Sequence, residues 1–405
     1  MNVLFLSELF YPHGGGAELA THLFAKLLVE RDFNVTIITN QFNGEPGVTR
    51  TQRMVVYRLP LFKGMGSVKY SILRRLDVLF SGFIRKMINW ADVVYIPRFW
   101  YSAIPLAKAY KKPVVVHLHD YIPICPLSNF FNVAKDGTCD RKCFLCSQKC
   151  IYLYEKLNNR SFRKIIESML SNQTIGHLFG RVIGLSDAVI CVSNAQRNLL
   201  LKNGNFLPSK TYMIYNPLPE IAENSLGVYG DDFGYFGGPS YLKGFHVLCK
   251  AAAFAKCFKP IKIHATKFHE AKGRSDFLKK LGIVTYGKID SIGLENIYGK
   301  IKAVIVPSIW EETWCYVVSE ALLSGKIVIA SRVGGIPEQV IGCKGAFLIK
   351  PGDYRALAEY ILAVYGLSRS KVAELGMENR KLIMKKFDNE KTASKFVSLF
   401  ERVAD

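Results

Sequence analysis

Short β-branched runs alternate along this chain with longer stretches whose apolar positions recur at helical spacing. Val3–Ser7 reads as a strand and Glu18–Glu30 as a helix, followed by strands Val35–Thr39, Val93–Ile96, Val114–His117 and Ala188–Val192. This alternation predicts a parallel sheet wrapped by helices. The rhythm breaks at Tyr215-Asn216-Pro217, and the loosely polar stretch Glu220–Asp232 follows. It then restarts with Phe233–Phe236, helix Lys243–Lys256, Ile261–Ala265, Ile283–Tyr286, Ala303–Val306, helix Trp314–Ser324, Ile327–Ala330 and helices to the end. The pattern therefore predicts two doubly wound α/β domains in series, residues 1–215 and 216–385, with residues 386–405 as a terminal helix.

Composition agrees with two cores. The 405 residues are 49% hydrophobic and 21% charged, enough apolar surface for two domains of ordinary size. No basic leader with an apolar run and no uncharged apolar stretch of membrane-spanning length is present, so a cytoplasmic location is expected. Net charge changes the picture more. Of the total of +21, residues 1–215 carry +14, which points to an anionic partner for the first half. No nucleic-acid-binding motif accompanies the charge, so nucleic acid is not expected. Between Arg53 and Lys112, twelve Lys and Arg face only Asp77 and Asp92, and from Tyr70 to Trp90 apolar residues recur at helical spacing between them. That is the pattern of a helix lying on an anionic membrane surface, here the inner face of the cell membrane; a core-packed helix with a basic outer face competes with it.

Candidate chemistry gathers at predicted strand ends. Pro12-His13-Gly14-Gly15-Gly16-Ala17-Glu18 joins the first strand to its helix, where backbone N–H groups of Gly15 and Gly16 can approach a phosphate, or the glycines merely allow tight packing. Val116-His117-Leu118-His119-Asp120 ends a buried strand; His119 is the candidate ligand and His117 reads as a core histidine. Glu312 and Glu320 form a Glu-x7-Glu pair, just over two helical turns apart, so Glu320 is expected below Glu312 on one helix face, and it lies in an apolar run where an unpaired carboxylate is costly. Cys139, Cys143, Cys146 and Cys150, with Cys125 upstream, have spacings that would accept a structural zinc or an iron–sulfur cluster. Because they depart from paired CxxC motifs, unliganded or disulfide-paired cysteines are the preferred reading.

The Glu-x7-Glu segment, together with Gly325-Lys326 and Gly334-Gly335-Ile336-Pro337-Glu338, resembles the retaining glycosyltransferases of family 4. Gly15-Gly16-Ala17-Glu18, His119 and Lys243-Gly244 extend the resemblance over nearly the whole chain. The resemblance implies the GT-B fold, two Rossmann-like domains facing across a cleft, with the acceptor on the first domain, the donor on the second and the last helix crossing back to the first. It implies a metal-independent hexosyltransferase that needs no cofactor and uses a nucleotide-diphosphate sugar as donor and a glycan or lipid-linked acceptor. It assigns Glu312 to the donor sugar, Glu320 to the ribose, and Lys243 with the main chain of Thr313, Trp314 and Cys315 to the diphosphate, while His119 would bind sugar hydroxyls. Two departures stand out. Gly238 occupies the position where the family commonly has a phosphate-binding Arg, and Thr313-Trp314-Cys315 replaces the usual Gly-Phe-Gly. The alternatives are a nucleotide-sugar-binding scaffold without catalysis and a GT-B sugar-nucleotide epimerase.

Overall fold

The computed structural model describes residues 1–60, 80–139, 147–221, 226, 230–268, 275–289 and 291–405, the side chains of residues 147, 171–177, 275 and 291 excepted. Its contacts divide the chain into two units, Met1–Pro217 with Asn389–Asp405, and Leu218–Asp388.

The first unit is built on β1 (Asn2–Ser7), β2 (Asn34–Asn40), β3 (Val48–Arg50), β4 (Met54–Leu59), β5 (Val93–Arg98), β6 (Val114–Leu118), β9 (Ala188–Cys191) and β10 (Thr211–Met213), with a separate two-stranded ribbon of β7 (Phe131–Asn132) and β8 (Gly137–Thr138). The main sheet runs β10-β9-β6-β5-β1-β2-β4-β3 and is parallel except for the edge pair β3 and β4. Period-two alternation divides its residues between two cores. Leu4, Leu6, Val94, Ile96, Val114 and Val116 pack on one face, and Val3, Phe5, Val93, Tyr95 and Val115 on the other. The second face is covered by helices Gly16–Val29 and Asn389–Ala404; Phe24 stacks on Phe396 at 4.3 Å between ring centroids. Helix Gly82–Trp90 spends Ile84 and Ile88 on the first core and leaves Arg85 and Lys86 exposed. The rest of the helix expected from Tyr70 lies outside the described residues, apart from Phe80 and Ser81.

The second unit contains β11 (Asp232–Tyr235), β12 (Ile263–Ala265), β13 (Ile283–Thr285), β14 (Ile301–Val306), β15 (Ile327–Ser331) and β16 (Ala346–Ile349) in the order β13-β12-β11-β14-β15-β16, all parallel. Counted within the unit this is the 3-2-1-4-5-6 order of doubly wound nucleotide-binding sheets. Strand order reverses between β11 and β14, and the loops leaving the carboxyl ends of those two strands meet at the reversal point. Among the described residues no helix is long and apolar enough to cross a membrane.

One expected element needs correction. The helix expected at Trp314–Ser324 spans Tyr316–Leu323, and Glu312 lies on the loop before either start, so the two glutamates do not share a helix face as expected. The loop is held out of helical geometry by partners distant in sequence. Gly335 N–H donates to the Glu312 carbonyl at 2.7 Å, and Cys315 N–H donates to Gln339 Oε1 at 3.1 Å.

Candidate active site

At the reversal point of the second unit the loops after β11 and β14 are packed backbone on backbone. Gly244, at φ +73°, caps helix Phe245–Lys256, and a Cβ there would fall 1.8 Å from the Pro307 carbonyl oxygen, which only glycine avoids. Ile309 N–H donates to the Leu242 carbonyl at 2.9 Å. This contact brings Lys243 and Glu312 together, with Nζ to Oε1 at 2.7 Å. The Ser308 hydroxyl donates to the same oxygen at 2.7 Å, and the Lys243 ammonium lies 5.2 Å from the centre of the Trp310 ring. Burial alone would lower the Lys243 pKa, but the Glu312 carboxylate outweighs it and raises it, so Lys243 is a cation at neutral pH. Gly334 closes the far side. Its N–H donates to Glu311 Oε2 at 2.7 Å, and a Cβ on it would lie 2.0 Å from the Glu312 carbonyl oxygen.

Thr313, Trp314 and Cys315 are buried. The Trp314 indole meets the Phe387 ring edge-on at 5.0 Å, so it is packing for the unit's interior. The Gln339 amide clamps the Cys315 main chain from both sides, accepting its N–H and donating to its carbonyl at 3.0 Å, and also donates to the Ser319 hydroxyl at 2.8 Å. The Cys315 N–H is therefore committed within the protein. Glu320, half-buried on the following helix, has its pKa raised to about 7 by loss of water, a rise that Lys267 opposes. Its surroundings include the Tyr298 and Tyr316 phenols, pushed well above their usual range by burial and then by Glu320 itself. Glu320 is thus a carboxyl poised near neutrality on the helix that follows the Glu312 loop.

The first unit's sheet reverses between β1 and β5, and its loops carry a different set of groups. Glu18 folds back over the glycine turn: Gly15 N–H donates to Oε2 at 2.7 Å, and the Arg98 guanidinium at the end of β5 donates to Oε1. The N-cap amide of helix Gly16–Val29 thus serves an internal carboxylate. Burial lowers the Arg98 pKa, but Glu18, Asp120 and Glu8 more than restore it, so Arg98 remains charged. His119 is held down to about 3 by burial and then by Arg98, so its imidazole is neutral. His117 is a core residue whose Nδ1 pairs with the Tyr95 hydroxyl at 2.6 Å, while its ring packs against Phe24. Sequence reasoning missed Arg98, Ser308 and Gln339, because each acts through a partner that only the fold brings close.

Cys125, Cys139 and Cys150 are buried, and Cys143 and Cys146 lie outside the described residues. Among the described residues no group of three or more His, Cys, Asp or Glu side chains is arranged to hold a metal ion.

Two doubly wound parallel sheets in one chain, the second with its Lys–Glu pair at the strand-order reversal, define a GT-B glycosyltransferase architecture. The profile described as Glycosyltransferase Family 4 matches residues 14–219 and that described as Glycosyl transferases group 1 matches residues 269–382. The chain belongs to Glycosyltransferase Family 4, and it is a glycosyltransferase by that membership. It is 26% identical over 353 residues to an uncharacterized 42.6 kDa protein in the cps region of Klebsiella pneumoniae, covering 84% of this chain and 87% of that protein. In fold it is similar to sucrose-phosphate synthase from Thermosynechococcus elongatus, with a TM-score of 0.72, 16% identity and coverage of 99% and 98% of the two chains. It is also similar to Anabaena HepE in complex with UDP-glucose, with a TM-score of 0.66, 18% identity and coverage of 99% and 100%.

Proposed function

We propose that this chain is a retaining, metal-independent hexosyltransferase that takes a sugar from a nucleotide-diphosphate donor and passes it to a glycan or lipid-linked acceptor at the inner face of the cell membrane. The observation that carries this reading is the Lys243–Glu312 pair at the reversal point of the second unit's sheet. Departure of a nucleoside diphosphate leaves negative charge on the β-phosphate and positive character on the sugar carbon. Lys243 is a cation already fixed where such charge would develop, and Glu312 is a carboxylate fixed beside it for the donor sugar. Glu320 is assigned to the ribose hydroxyls.

In the transfer step the bond from the sugar's anomeric carbon to the phosphate oxygen breaks and one from that carbon to the acceptor oxygen forms, on the same face. The acceptor's proton passes to the departing phosphate, so no protein base is required. In the first unit, His119 is assigned to hydrogen bonds with sugar hydroxyls, a role suited to a neutral imidazole. The Gly15 and Gly16 turn is assigned to shaping that end of the sheet rather than to holding phosphate, since Gly15 N–H serves Glu18.

Incubation with a panel of radiolabelled nucleotide sugars tests the reading. Slow release of sugar from one donor is expected; silence with every donor would favour a binding scaffold without catalysis.

A further inference from the structure

Family resemblance places a phosphate-binding arginine at position 238, and this chain has glycine there. The surroundings show what occupies that space. Gly238 lies at φ +66°, its carbonyl accepts from the Tyr235 hydroxyl at 2.8 Å, and a Cβ on it would sit 3.4 Å from both Cβ and the carbonyl oxygen of Lys267. Lys267, on the loop after β12, is itself at φ +67°, a left-handed conformation that a lysine adopts only when its neighbours impose it. They do. Thr266 N–H donates to the Tyr235 carbonyl and Lys267 N–H to the Gly287 carbonyl, both at 3.1 Å, and Phe268 N–H donates to the Tyr286 carbonyl at 2.9 Å. The Phe268 ring meets Phe245 edge-on at 5.0 Å, and Phe245 opens the helix directly after Lys243-Gly244. The two loops are thereby pinned together, one bearing Lys243 and the other Lys267.

We propose that Lys267 supplies the second cation for the donor's diphosphate, in place of an arginine at position 238. The inference rests on the nucleotide-sugar reading and adds a residue to it. Glycine at position 238 leaves the space beside the strand end open, and the adjacent loop brings Lys267 to the edge of that space with a left-handed backbone. The Lys267 charge also opposes the burial-driven rise at Glu320. Lysine presents a point charge where arginine would offer a planar fork, so this site holds the diphosphate by charge with less constraint on its orientation.

Calorimetric titration of the full chain tests this, with UDP, GDP and ADP tried in turn and the tightest binder compared with its monophosphate. Lys267→Asn removes the charge while tolerating the left-handed backbone, and Lys267→Arg retains it. Lys267→Asn should lose diphosphate affinity on the order of tenfold, monophosphate affinity less than about twofold, and Lys267→Arg should stay within about threefold of wild type. Diphosphate binding by Lys267→Asn as tight as wild type would overturn the role of Lys267 and leave the transferase reading standing. So would a loss of equal size for monophosphate and diphosphate, which marks a general disturbance. If the wild-type chain binds none of the three diphosphates, the nucleotide-sugar reading itself falls, and this inference with it.

Discussion

Lys243 Nζ and Glu312 Oε1 lie 2.7 Å apart beyond the carboxyl ends of β11 and β14, adjacent strands whose following loops meet backbone to backbone. The pair holds the cation and the carboxylate in place before any ligand arrives, and Ser308 and Gly335 fix Glu312 from its side chain and main chain. On the proposed reading, a diphosphate bound there would meet a Lys243 ammonium that is already oriented, and little reorganisation would accompany the charge that builds on its phosphate.

Lys243→Ala should therefore lower turnover on the order of a hundredfold or more, since it removes a cation facing developing phosphate charge. Glu312→Gln should lower turnover far more than donor affinity. Steady-state kinetics with calorimetric donor binding separates the two effects. Less than tenfold loss in Lys243→Ala would move the main phosphate contact to another cation.

Glu320 predicts a pH dependence with a definite sign. Its pKa, raised to about 7, means that the folded protein holds a proton there which the unfolded chain releases at lower pH. Its contribution to stability is present below the usual carboxylate range and is lost as pH rises through about 7. Ribose hydroxyls donate best to the ionised form, so binding should favour loss of the proton. Nucleoside diphosphate affinity should rise from pH 6 to pH 8 in wild type with proton release, beyond the ligand's own titration, and Glu320→Gln should show only the ligand's slope and weaker binding. Affinity in Glu320→Gln equal to wild type at pH 8 would refute the ribose assignment.

Gln339 is buried and makes three hydrogen bonds, two of them to the main chain of Cys315. Gln339→Ala leaves the Cys315 N–H without that acceptor inside the unit, a loss worth about 2 kcal/mol. The thermal unfolding midpoint should fall, and turnover should fall with it because the Glu312 loop loosens. An unchanged midpoint would show that water or a neighbouring group replaces the amide.

Membrane association is tested by sedimentation with liposomes of rising anionic-lipid content. Binding that grows with lipid charge and weakens in salt is expected from the basic excess of residues 53–112 and the exposed Phe80, Trp90, Arg85 and Lys86. A protein that stays in the supernatant with every mixture, yet glycosylates a soluble acceptor, would contradict it. Within the described part of that segment, Ile84 and Ile88 face the core, so the helix Gly82–Trp90 does not offer its main apolar face to lipid.

The two sheets were legible because their central strands are buried on both faces and therefore read as unbroken apolar runs such as Ile301–Val306. Lys243, Glu312 and Glu320 were legible as a motif, and the fold places Lys243 against Glu312. The start of the last site helix was not legible. Its boundary is decided by Gln339, 24 residues beyond Cys315, and no local pattern announces a side chain that caps a main chain so far away. Gly15 reads equally as a phosphate turn or a packing turn until Glu18 is seen to take its N–H, and that bond depends on Arg98, which lies 80 residues on from Glu18. Gly238 reads as a missing cation in sequence, with Lys267 and Arg332 as other candidates for the phosphate; the contact of two left-handed residues puts Lys267 beside Gly238.

The central claim is that this chain transfers a sugar from a nucleotide donor with retention, using the charged pair of its second unit. The most direct measurement is time-resolved proton NMR of the anomeric signal, begun on mixing the full chain with whichever nucleotide sugar it turns over. The account predicts that the first product to appear carries the donor's anomeric configuration, and that Lys243→Ala forms it on the order of a hundredfold more slowly. A first product of inverted configuration, or equal rates for the two proteins, would contradict it.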